Sequence, residues 1–296
     1  MSFEEFLQYC LSGVTVGSIY AVVAIGFNII YNTTGIINFA QGEFLILGGM
    51  VAISLSSVMP LLPAILLAVA VTVVVGAAVE IVFIRWLKQP DVLRLIVITI
   101  GISILLREAM LHIWDEQMRA LPHFTGSEIS SIDILGAHIS PQALWVLGIG
   151  TVIVVGLNLF FKFTLTGRAM RACAANRTAA ELCGINVKWM VTFSFMLSAG
   201  IGALAGCAIS PLAQTQYDMG SSLAIKGFTV AILGGLGRSM AAVAAGIILG
   251  LIEAFSISQF PLAYKDAVTV AVLLLILFIK PSGLFGSREE RGLKEF

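Results

Sequence analysis

A cluster of amide, hydroxyl and carboxylate side chains interrupts an apolar part of the sequence, in the segment NTTGIINFAQGE at residues 32–43. Charged and amide groups at membrane depth are costly and usually face a cavity or a partner. Asn38 and Gln41 are three residues apart and share a helix face, while Glu43 lies on a neighbouring face. Two interpretations follow: a polar gate or pathway lined by Asn38, Gln41, Gly42 and Glu43, or hydrogen bonds between packed helices.

The sequence carries no recognisable catalytic constellation. The glycine-rich stretch GGLGRS at 234–239 lacks the GxxxxGK[ST] pattern of a phosphate-binding loop, and neither HExxH nor GxSxG occurs. Cys10, Cys173, Cys183 and Cys207 show no metal-ligand spacing. We therefore predict a protein that is not an enzyme and has no cofactor or metal, so that any energy it uses comes from another polypeptide.

The amino-acid composition indicates which solvent surrounds these polar residues. Hydrophobic residues make up 58% of the 296 residues and charged residues 11%, against about 45–50% and about 25% in soluble domains. A water-soluble fold of this size could not bury so much apolar surface, so lipid must surround most of it. The apolar runs are continuous rather than alternating, which excludes a β-barrel. The formal net charge of zero gives no information about binding partners. Nothing in the sequence points to nucleic acid.

The positions of the apolar runs predict the membrane spans. Runs long enough for a ~20-residue span occur at 6–30, 35–58, 61–84, 94–113, 142–162, 189–213 and 264–280, and a shorter pair occurs at 223–237 and 239–258. The predicted fold is an all-α, polytopic membrane helical bundle. It has about seven full spans plus a short re-entrant or abbreviated helix pair, in a single transmembrane domain over residues 1–296.

Lysine and arginine in short loops mark the cytoplasmic side of a membrane protein. They occur in the 85–94 loop, in the 163–188 segment and at the C-terminus, as Arg85, Lys88, Arg94, Lys162, Arg168, Arg171, Arg177, Lys188, Lys280, Arg288, Arg291 and Lys294. The 114–141 loop is more acidic and is predicted to lie outside. This pattern places the N-terminus outside and the C-terminus inside.

The short pair within 223–258 must then begin and end on the outer side, with a turn near 234–239. Non-helical backbone at membrane depth persists only where protein or a water-filled cavity covers it. Gly234 and Gly235 are therefore further candidates for the pathway lining. Whether the pair is re-entrant or spans twice stays open at this point.

Small residues recur at four-residue spacing in several runs and predict close helix packing. They are Gly13 and Gly17, then Ser198, Gly202 and Gly206, and finally Ala242, Gly246 and Gly250. The alternative for any one of them is a seam between two copies of the chain.

Three isolated charges within the spans invite separate predictions. Glu80 precedes Arg85 and Lys88 and is expected to pair with them at the interface. Lys226 is expected to extend toward the membrane surface along its apolar stem. Glu253 is expected to have a tertiary partner or to face a vestibule.

The segment TGRAMRACAANRTAAELCGI at 166–185 concentrates charge and small residues between two apolar runs. Thr166 can cap a helix here, and Gly184 can end it in the left-handed conformation that glycine tolerates. A helix lying on lipid shows one broad apolar face, whereas this segment is predicted to be small and mixed all round. That surface favours insertion into a groove of a protein partner. The alternative is a solvated, positively charged loop.

Three stretches in order carry a family resemblance: NTTGIINFAQGEFLILGGM, TGRAMRACAANRTAAELCGINV and KGFTVAILGGLGRSMAAVAAGIILGLIE. From start to finish the chain resembles the permease subunits of branched-chain amino-acid type ABC importers. The resemblance implies a location in the bacterial inner membrane and pairing with a second, homologous permease subunit, in a heterodimer. It also implies two cytoplasmic ATP-binding subunits and a periplasmic substrate-binding protein.

The resemblance also assigns a role to the middle stretch, which looks like the cytoplasmic segment that docks on the ATPase. Carried over, it covers Gly167, Arg168, Arg171, Ala172, Asn176, Ala179, Ala180 and Gly184. Leucine, isoleucine and valine are the expected substrates, and urea, short-chain amides and aromatic acids are the alternatives within the family. A stand-alone secondary transporter or channel is the rival class. Arg238 and Met240 depart from the smaller residues of many relatives, which affects the expected shape of that turn.

Overall fold

The structure, a computed structural model, describes residues 2–87, 92–127, 129–134, 136–259, 261, 264–280 and 283–285. Its helices are α1 (Phe3–Thr34), α2 (Gln41–Ser56), α3 (Leu61–Val79), α4 (Val92–Trp114), α5 (Pro141–Phe163), α6 (Leu165–Ala175), α7 (Arg177–Leu182), α8 (Val187–Ala213), α9 (Met219–Gly234), α10 (Ser239–Ser256) and α11 (Lys265–Ile279). The prediction of an all-α, polytopic helical bundle is confirmed.

Helix length distinguishes two groups of apolar helices. In the described part of the chain, six are long and apolar enough to cross a membrane: Phe3–Thr34, Leu61–Ile84, Leu93–Trp114, Pro141–Phe163, Val187–Ala213 and Ser239–Ser256. The predicted full spans at 35–58 and 264–280 are shorter helices, α2 with 16 residues and α11 with 15. At 1.5 Å per residue, α2 is roughly 24 Å long, less than a hydrocarbon core of about 30 Å. The structure therefore differs from the prediction in the number of full-length spans.

Helix α2 is short because the chain turns before it. Gly35 ends α1 in the left-handed conformation, with φ 72°, as glycine does readily at a helix C-terminus. Asn38 then accepts a hydrogen bond from the backbone N–H of Ala40, at 3.1 Å, which is a local turn favoured by asparagine. Residues 36–38 are non-helical and lead into α2 at Gln41.

The core lies around α1 and α8. Most of each apolar window in these two helices is buried, whereas less than a third of each window is buried in α3, α4 and α5. Leu66, Val74, Val97 and Val152 are examples of exposed apolar side chains on the outer three helices. Such surfaces are stable where lipid is the solvent.

The small-residue predictions are confirmed as packing within the chain. A Cβ atom on Gly17 would lie 2.6 Å from the carbonyl oxygen of Gly246, and one on Gly250 would lie 2.3 Å from that of Gly13. On α8, a Cβ atom on Gly206 would lie 1.9 Å from the carbonyl oxygen of Leu45. These glycines permit close approach of α1 to α10 and of α8 to α2.

The 114–141 loop folds over one end of the bundle. It contains a two-stranded antiparallel hairpin, β1 (Ile132–Ile134) and β2 (Ala137–Ile139). Arg119 and Thr215 exchange backbone hydrogen bonds, which joins the loop to the segment between α8 and α9. Glu128 lies outside the described residues.

A π-helical turn, Glu80–Ile84, extends α3 and begins with a buried glutamate that pairs with the exposed Arg85 after the turn. Glu80 bonds to Arg85 at 3.0 Å, which confirms the predicted pairing of these two residues. Thr192 on α8 donates a hydrogen bond to Glu80 and accepts one from Arg85, both at 2.7 Å. This triad connects the end of α3 to the start of α8. Lys88, Arg288, Arg291 and Lys294, which contributed to the predicted orientation, lie outside the described residues.

Candidate translocation pathway and coupling segment

The polar residues predicted to line a pathway surround the beginning of α2. Asn38, Gln41 and Glu43 are fully buried, and Gly42 packs against α9, where an added Cβ atom would lie 1.9 Å from the carbonyl oxygen of Gly220. Buried polar groups need hydrogen-bond partners. The partners of each residue therefore show whether it joins packed helices or is free to line a pathway.

Gln41 has the contacts of a packing residue. Its amide oxygen accepts a hydrogen bond from the Ser198 hydroxyl at 2.5 Å, and its amide nitrogen donates to the Ser198 carbonyl at 3.3 Å. The same hydroxyl also lies 2.9 Å from the carbonyl oxygen of Gly26. Gln41 therefore links α2 to α8 and α1, as in the second of the two interpretations left open for this segment.

Glu43 has a different environment. Its Oε1 accepts hydrogen bonds from Ser103 on α4 at 2.8 Å and from Ser221 on α9 at 3.3 Å. Arg107 on α4 donates to the same Ser221 hydroxyl at 3.3 Å. Glu43 Oε2 is buried and has no hydrogen-bond partner within the described residues. Three helices thus converge on a carboxylate that is only half satisfied.

Gly234 and Gly235 lie at the other end of α9. Fifteen residues separate Gly220 from Gly235, which corresponds to roughly 20 Å along a helix. The structure therefore does not bring these two glycines together with Glu43. Gly235 has φ 90° and begins the turn between α9 and α10.

Two asparagines that the sequence analysis did not assign to this turn hold it against α1. Asn28 Oδ1 accepts the backbone N–H of Gly237 at 2.9 Å, and Asn32 Nδ2 donates to the Gly237 carbonyl at 2.7 Å. Their spacing of four residues, which puts both on one helix face, was the available sequence signal. Arg238 donates a hydrogen bond to the carbonyl oxygen of Phe285. This arginine, which is larger than the residue expected from the family resemblance, therefore connects the turn to the 283–285 segment.

A charge network that reaches from the buried Lys226 and Glu253 to the exposed Asp266 lies between α1, α9, α10 and α11. Lys226 Nζ is 3.1 Å from Glu253 and 2.8 Å from Asp266, and Lys265 is 2.9 Å from Glu253. Tyr20 donates to Glu253 at 3.0 Å. Lys226 is buried, and its ammonium group pairs with both the buried Glu253 and the exposed Asp266, so its extension toward the membrane surface stays a prediction. The tertiary partner expected for Glu253 is present.

The 163–188 segment, called the coupling segment after its predicted role, forms two helices rather than one. Helix α6 is capped by Thr164, whose hydroxyl accepts the backbone N–H of Gly167 at 3.0 Å, so the prediction of Thr166 as the cap is wrong. Asn176 has an extended backbone and caps α7 through the N–H of Ala179, at 2.9 Å. Gly184 has φ 82°, which confirms its left-handed conformation after α7.

The coupling segment also has an inner and an outer face, which corrects the prediction of a surface mixed all round. Gly167, Met170, Cys173 and Ala180 are buried against the bundle. A Cβ atom on Gly167 would lie 2.4 Å from the carbonyl oxygen of Phe160. The spacing of Gly167, Met170 and Cys173 could have indicated this face.

The outer face of the segment carries most of the predicted coupling residues. Arg168, Arg171, Asn176, Ala179 and Gly184 are exposed, and Ala172 is half-buried. Leu182 is 84% exposed at the end of α7. The segment thus exposes a leucine and several arginines, and arginine is enriched at protein interfaces.

Among the described residues, no group of three or more histidine, cysteine, aspartate or glutamate side chains has the arrangement of a metal site. The polar cluster at Glu43 combines hydroxyl, carboxylate and guanidinium groups.

Comparison with known proteins supplies the family. The family model described as "Branched-chain amino acid transport system / permease component" matches residues 9–277. The chain is 34% identical to the high-affinity branched-chain amino acid transport system permease protein BraD of Pseudomonas aeruginosa, over 96% of the chain and 97% of that protein. It is 30% identical to the corresponding permease protein LivH of Salmonella typhimurium, over 97% of each chain.

Two more distant proteins are also similar to this chain, one in sequence and one in fold. The ribose import permease protein RbsC of Haemophilus influenzae is 25% identical over 88% of this chain and 80% of that protein. The solved structure of PsaBC from Streptococcus pneumoniae in complex with Fab has a TM-score of 0.51 at 12% identity, covering 95% of this chain and 94% of that one. The family model and the whole-length sequence matches show that the chain belongs to the branched-chain amino acid transport system permease family.

Proposed function

We propose that this chain forms half of the translocation pathway of an ATP-driven importer for leucine, isoleucine and valine. The observation that carries the proposal is the family match over residues 9–277, together with whole-length relatives that are branched-chain amino acid permeases. As a permease component the chain is a transporter subunit and not an enzyme. ATP hydrolysis belongs to separate subunits, and the substrate arrives on a periplasmic binding protein.

The pathway half is formed around α2, α4 and α9, with Asn38 and Glu43 closest to the moving substrate and Gly42 allowing α2 to pack against α9 beside them. Gln41 supports this region by tying α2 to α8. Gly234 and Gly235 serve at the inner turn, where α9 ends. A second, homologous permease supplies the other half, in a heterodimer.

The coupling segment transmits the motion of the ATPases. Its exposed face, with Arg168, Arg171 and Leu182, docks on an ATP-binding subunit. Its buried face rests on the bundle, and α8 follows it directly. The triad of Glu80, Arg85 and Thr192 then carries displacement of α8 to α3.

Reconstitution tests the substrate. The chain is co-purified with its partner permease and ATPases, placed in proteoliposomes, and supplied with the binding protein. We expect leucine to stimulate ATP hydrolysis and to accumulate inside the vesicles, while urea and ribose do neither. Stimulation by urea or ribose instead of leucine would assign another substrate, and flux of leucine without the ATPases would favour the stand-alone transporter.

Charge reversal tests the coupling segment. In a variant with Arg168→Glu and Arg171→Glu, we expect retention of the ATPase on the purified permease to fall by about tenfold or more, because each lost charge-assisted hydrogen bond contributes about 1.5–3 kcal/mol. Lys162→Glu is the matched control, since Lys162 is exposed at the end of α5 and lies outside the docking face. Unchanged ATPase retention and uptake in the double variant would refute the docking role.

A further inference from the structure

Two short helices begin at the same place in the bundle. Gly42, in the first turn of α2, contacts Gly220, in the first turn of α9. Thr215, which precedes α9, lies beside Gly49, about two turns further along α2. The two helices therefore diverge in opposite directions from a shared junction of their N-termini. Discontinuous helices that meet within a transporter are where substrates bind.

The junction offers hydrogen-bond donors. The first N–H groups of a helix have no partner within it, and they favour anions. Neither Ala40 before α2 nor Asp218 before α9 makes a side-chain capping bond in the part of the chain that the structure describes. The N–H groups of Gln41, Glu43 and Met219 already donate to preceding backbone carbonyls. The donors that remain in the first turn of α9 are the N–H groups of Gly220 and Ser221. Arg107 adds a guanidinium beside Ser221, on the first turn of α9.

The junction also offers an unpaired acceptor, which is the second and independent observation. Glu43 is fully buried and its Oε2 lacks a partner among the described residues. That oxygen points at α9, because a Cβ atom on Gly220 would lie 2.4 Å from it. A buried unpaired carboxylate oxygen is strongly unfavourable. Protonation does not remove the deficit, since the added O–H would then lack an acceptor.

The surface that follows the junction is aromatic. Phe39 and Phe228 lie 5.2 Å apart between ring centroids, and Phe27 lies 6.2 Å and 6.0 Å from them. Phe228 is seven residues after Ser221 and so lies on the same face of α9. An aliphatic side chain leaving the junction along α9 would meet this apolar face.

We infer that the junction of α2 and α9 is a binding site for the zwitterionic head group of an α-amino acid. Glu43 accepts the substrate ammonium group on Oε2, while Arg107 and the first N–H groups of α9 receive its carboxylate. The aromatic face accommodates the branched side chain. This inference rests on the proposed function and adds the chemical group that the permease itself recognises.

Transport by the whole importer tests the role of Glu43. The variant Glu43→Gln keeps the shape and can still accept from Ser103 and Ser221, but it loses the negative charge. We expect leucine uptake to fall by about tenfold or more, as for loss of a charge-assisted hydrogen bond. The matched control is Glu108→Gln, an exposed glutamate on the same helix as Arg107.

A second measurement uses only the wild-type protein, so it tests the proposal even if the Glu43→Gln variant fails to assemble. Radiolabelled leucine is bound to the wild-type permease–ATPase assembly without the binding protein, and unlabelled 4-methylpentanoate, which is leucine without its ammonium group, is added as competitor. We expect unlabelled leucine to displace the label and 4-methylpentanoate to leave it bound.

The outcomes separate the two proposals. If the wild-type importer takes up no leucine, the proposed function fails. If it takes up leucine but Glu43→Gln matches it within about twofold, the ammonium assignment is overturned. Equal displacement by 4-methylpentanoate, or absence of displaceable leucine binding, overturns the assignment as well.

Discussion

At the scale of single residues, charges clustered around the buried Glu253 distinguish this chain from a simple apolar bundle. Lys226, Lys265, Glu253 and Asp266 form a balanced set of two positive and two negative groups. Glu253 is the centre, because both lysines and the Tyr20 hydroxyl converge on its Oε1. The network fixes α9 to α10 and α11. The first turn of α9 lies against Glu43 of α2.

Replacing the central carboxylate tests this network. Glu253→Gln leaves two lysines beside a neutral amide, and we expect a loss of about 3–5 kcal/mol in the free energy of unfolding, because a broken buried pair leaves an uncompensated charge. Thermal unfolding of the purified permease in detergent measures the change.

A double variant provides the control for charge balance. Lys226→Met combined with Glu253→Leu removes one positive and one negative group and leaves Lys265 beside Asp266. Replacing a whole buried pair by apolar residues is often neutral, so we expect recovery of much of the lost stability. A double variant as unstable as Glu253→Gln would show that shape, rather than charge, is decisive here.

At the scale of elements, glycine governs how closely helices approach. Association in lipid has little hydrophobic driving force between helices, so contact depends on backbone approach. Gly13 and Gly17 on α1 meet Gly246 and Gly250 on α10 with no room for a Cβ atom. Gly148 on α5 has nothing within 4 Å of an added Cβ atom, among the residues that the structure describes.

These two environments predict opposite effects of one substitution. Gly17→Ala must move the backbone of Gly246, and we expect a destabilisation of about 1–3 kcal/mol, as for overpacking in cores. Gly148→Ala is expected to be neutral or slightly stabilising, since alanine favours helix over glycine by up to about 1 kcal/mol. Thermal unfolding of both variants is the measurement, and equal shifts would contradict the packing of α1 on α10.

At the scale of the whole molecule, orientation in the membrane stays a prediction. It rests on the distribution of lysine and arginine, and it places the coupling segment inside and the 114–141 loop outside. Cysteines provide a direct reporter. Cys183 is exposed next to Gly184, whereas Cys173 and Cys207 are buried. Burial also raises the pKa of the Cys173 thiol, which lowers its reactivity.

Labelling with a membrane-impermeant maleimide tests this orientation. With Cys10, Cys173 and Cys207 replaced by alanine, we expect Cys183 to react in inside-out vesicles and to be protected in right-side-out vesicles. Ile129→Cys in a cysteine-free background is the opposite reporter, since Ile129 is 92% exposed in the 114–141 loop. Labelling of both from the same side would refute the predicted topology. Bound ATPase should slow the reaction of Cys183.

Sequence patterns predicted some features well because those features depend on local chemistry. The apolar runs gave the helical bundle, the four-residue spacing of small residues gave the helix contacts, and Gly184 gave a left-handed helix end. Errors arose where the local sequence allows two different helix starts or ends. Thr164 and Thr166 are both able to cap α6, and Asn176, which competes with the helix through its side chain, divides one expected helix into α6 and α7.

The sequence by itself determined the solvent, the helical class and the family, because composition and ordered motifs are properties of the chain alone. Only the tertiary structure decided what each buried polar group does. Gln41 and Glu43 are two residues apart and both buried, yet one is satisfied by Ser198 and the other has an unpaired oxygen facing α9. The difference comes from residues more than fifty positions away in the sequence. Ser198 bonds to both polar atoms of the Gln41 amide, whereas Ser103 and Ser221 bond only to Oε1 of Glu43. No local pattern encodes that pairing.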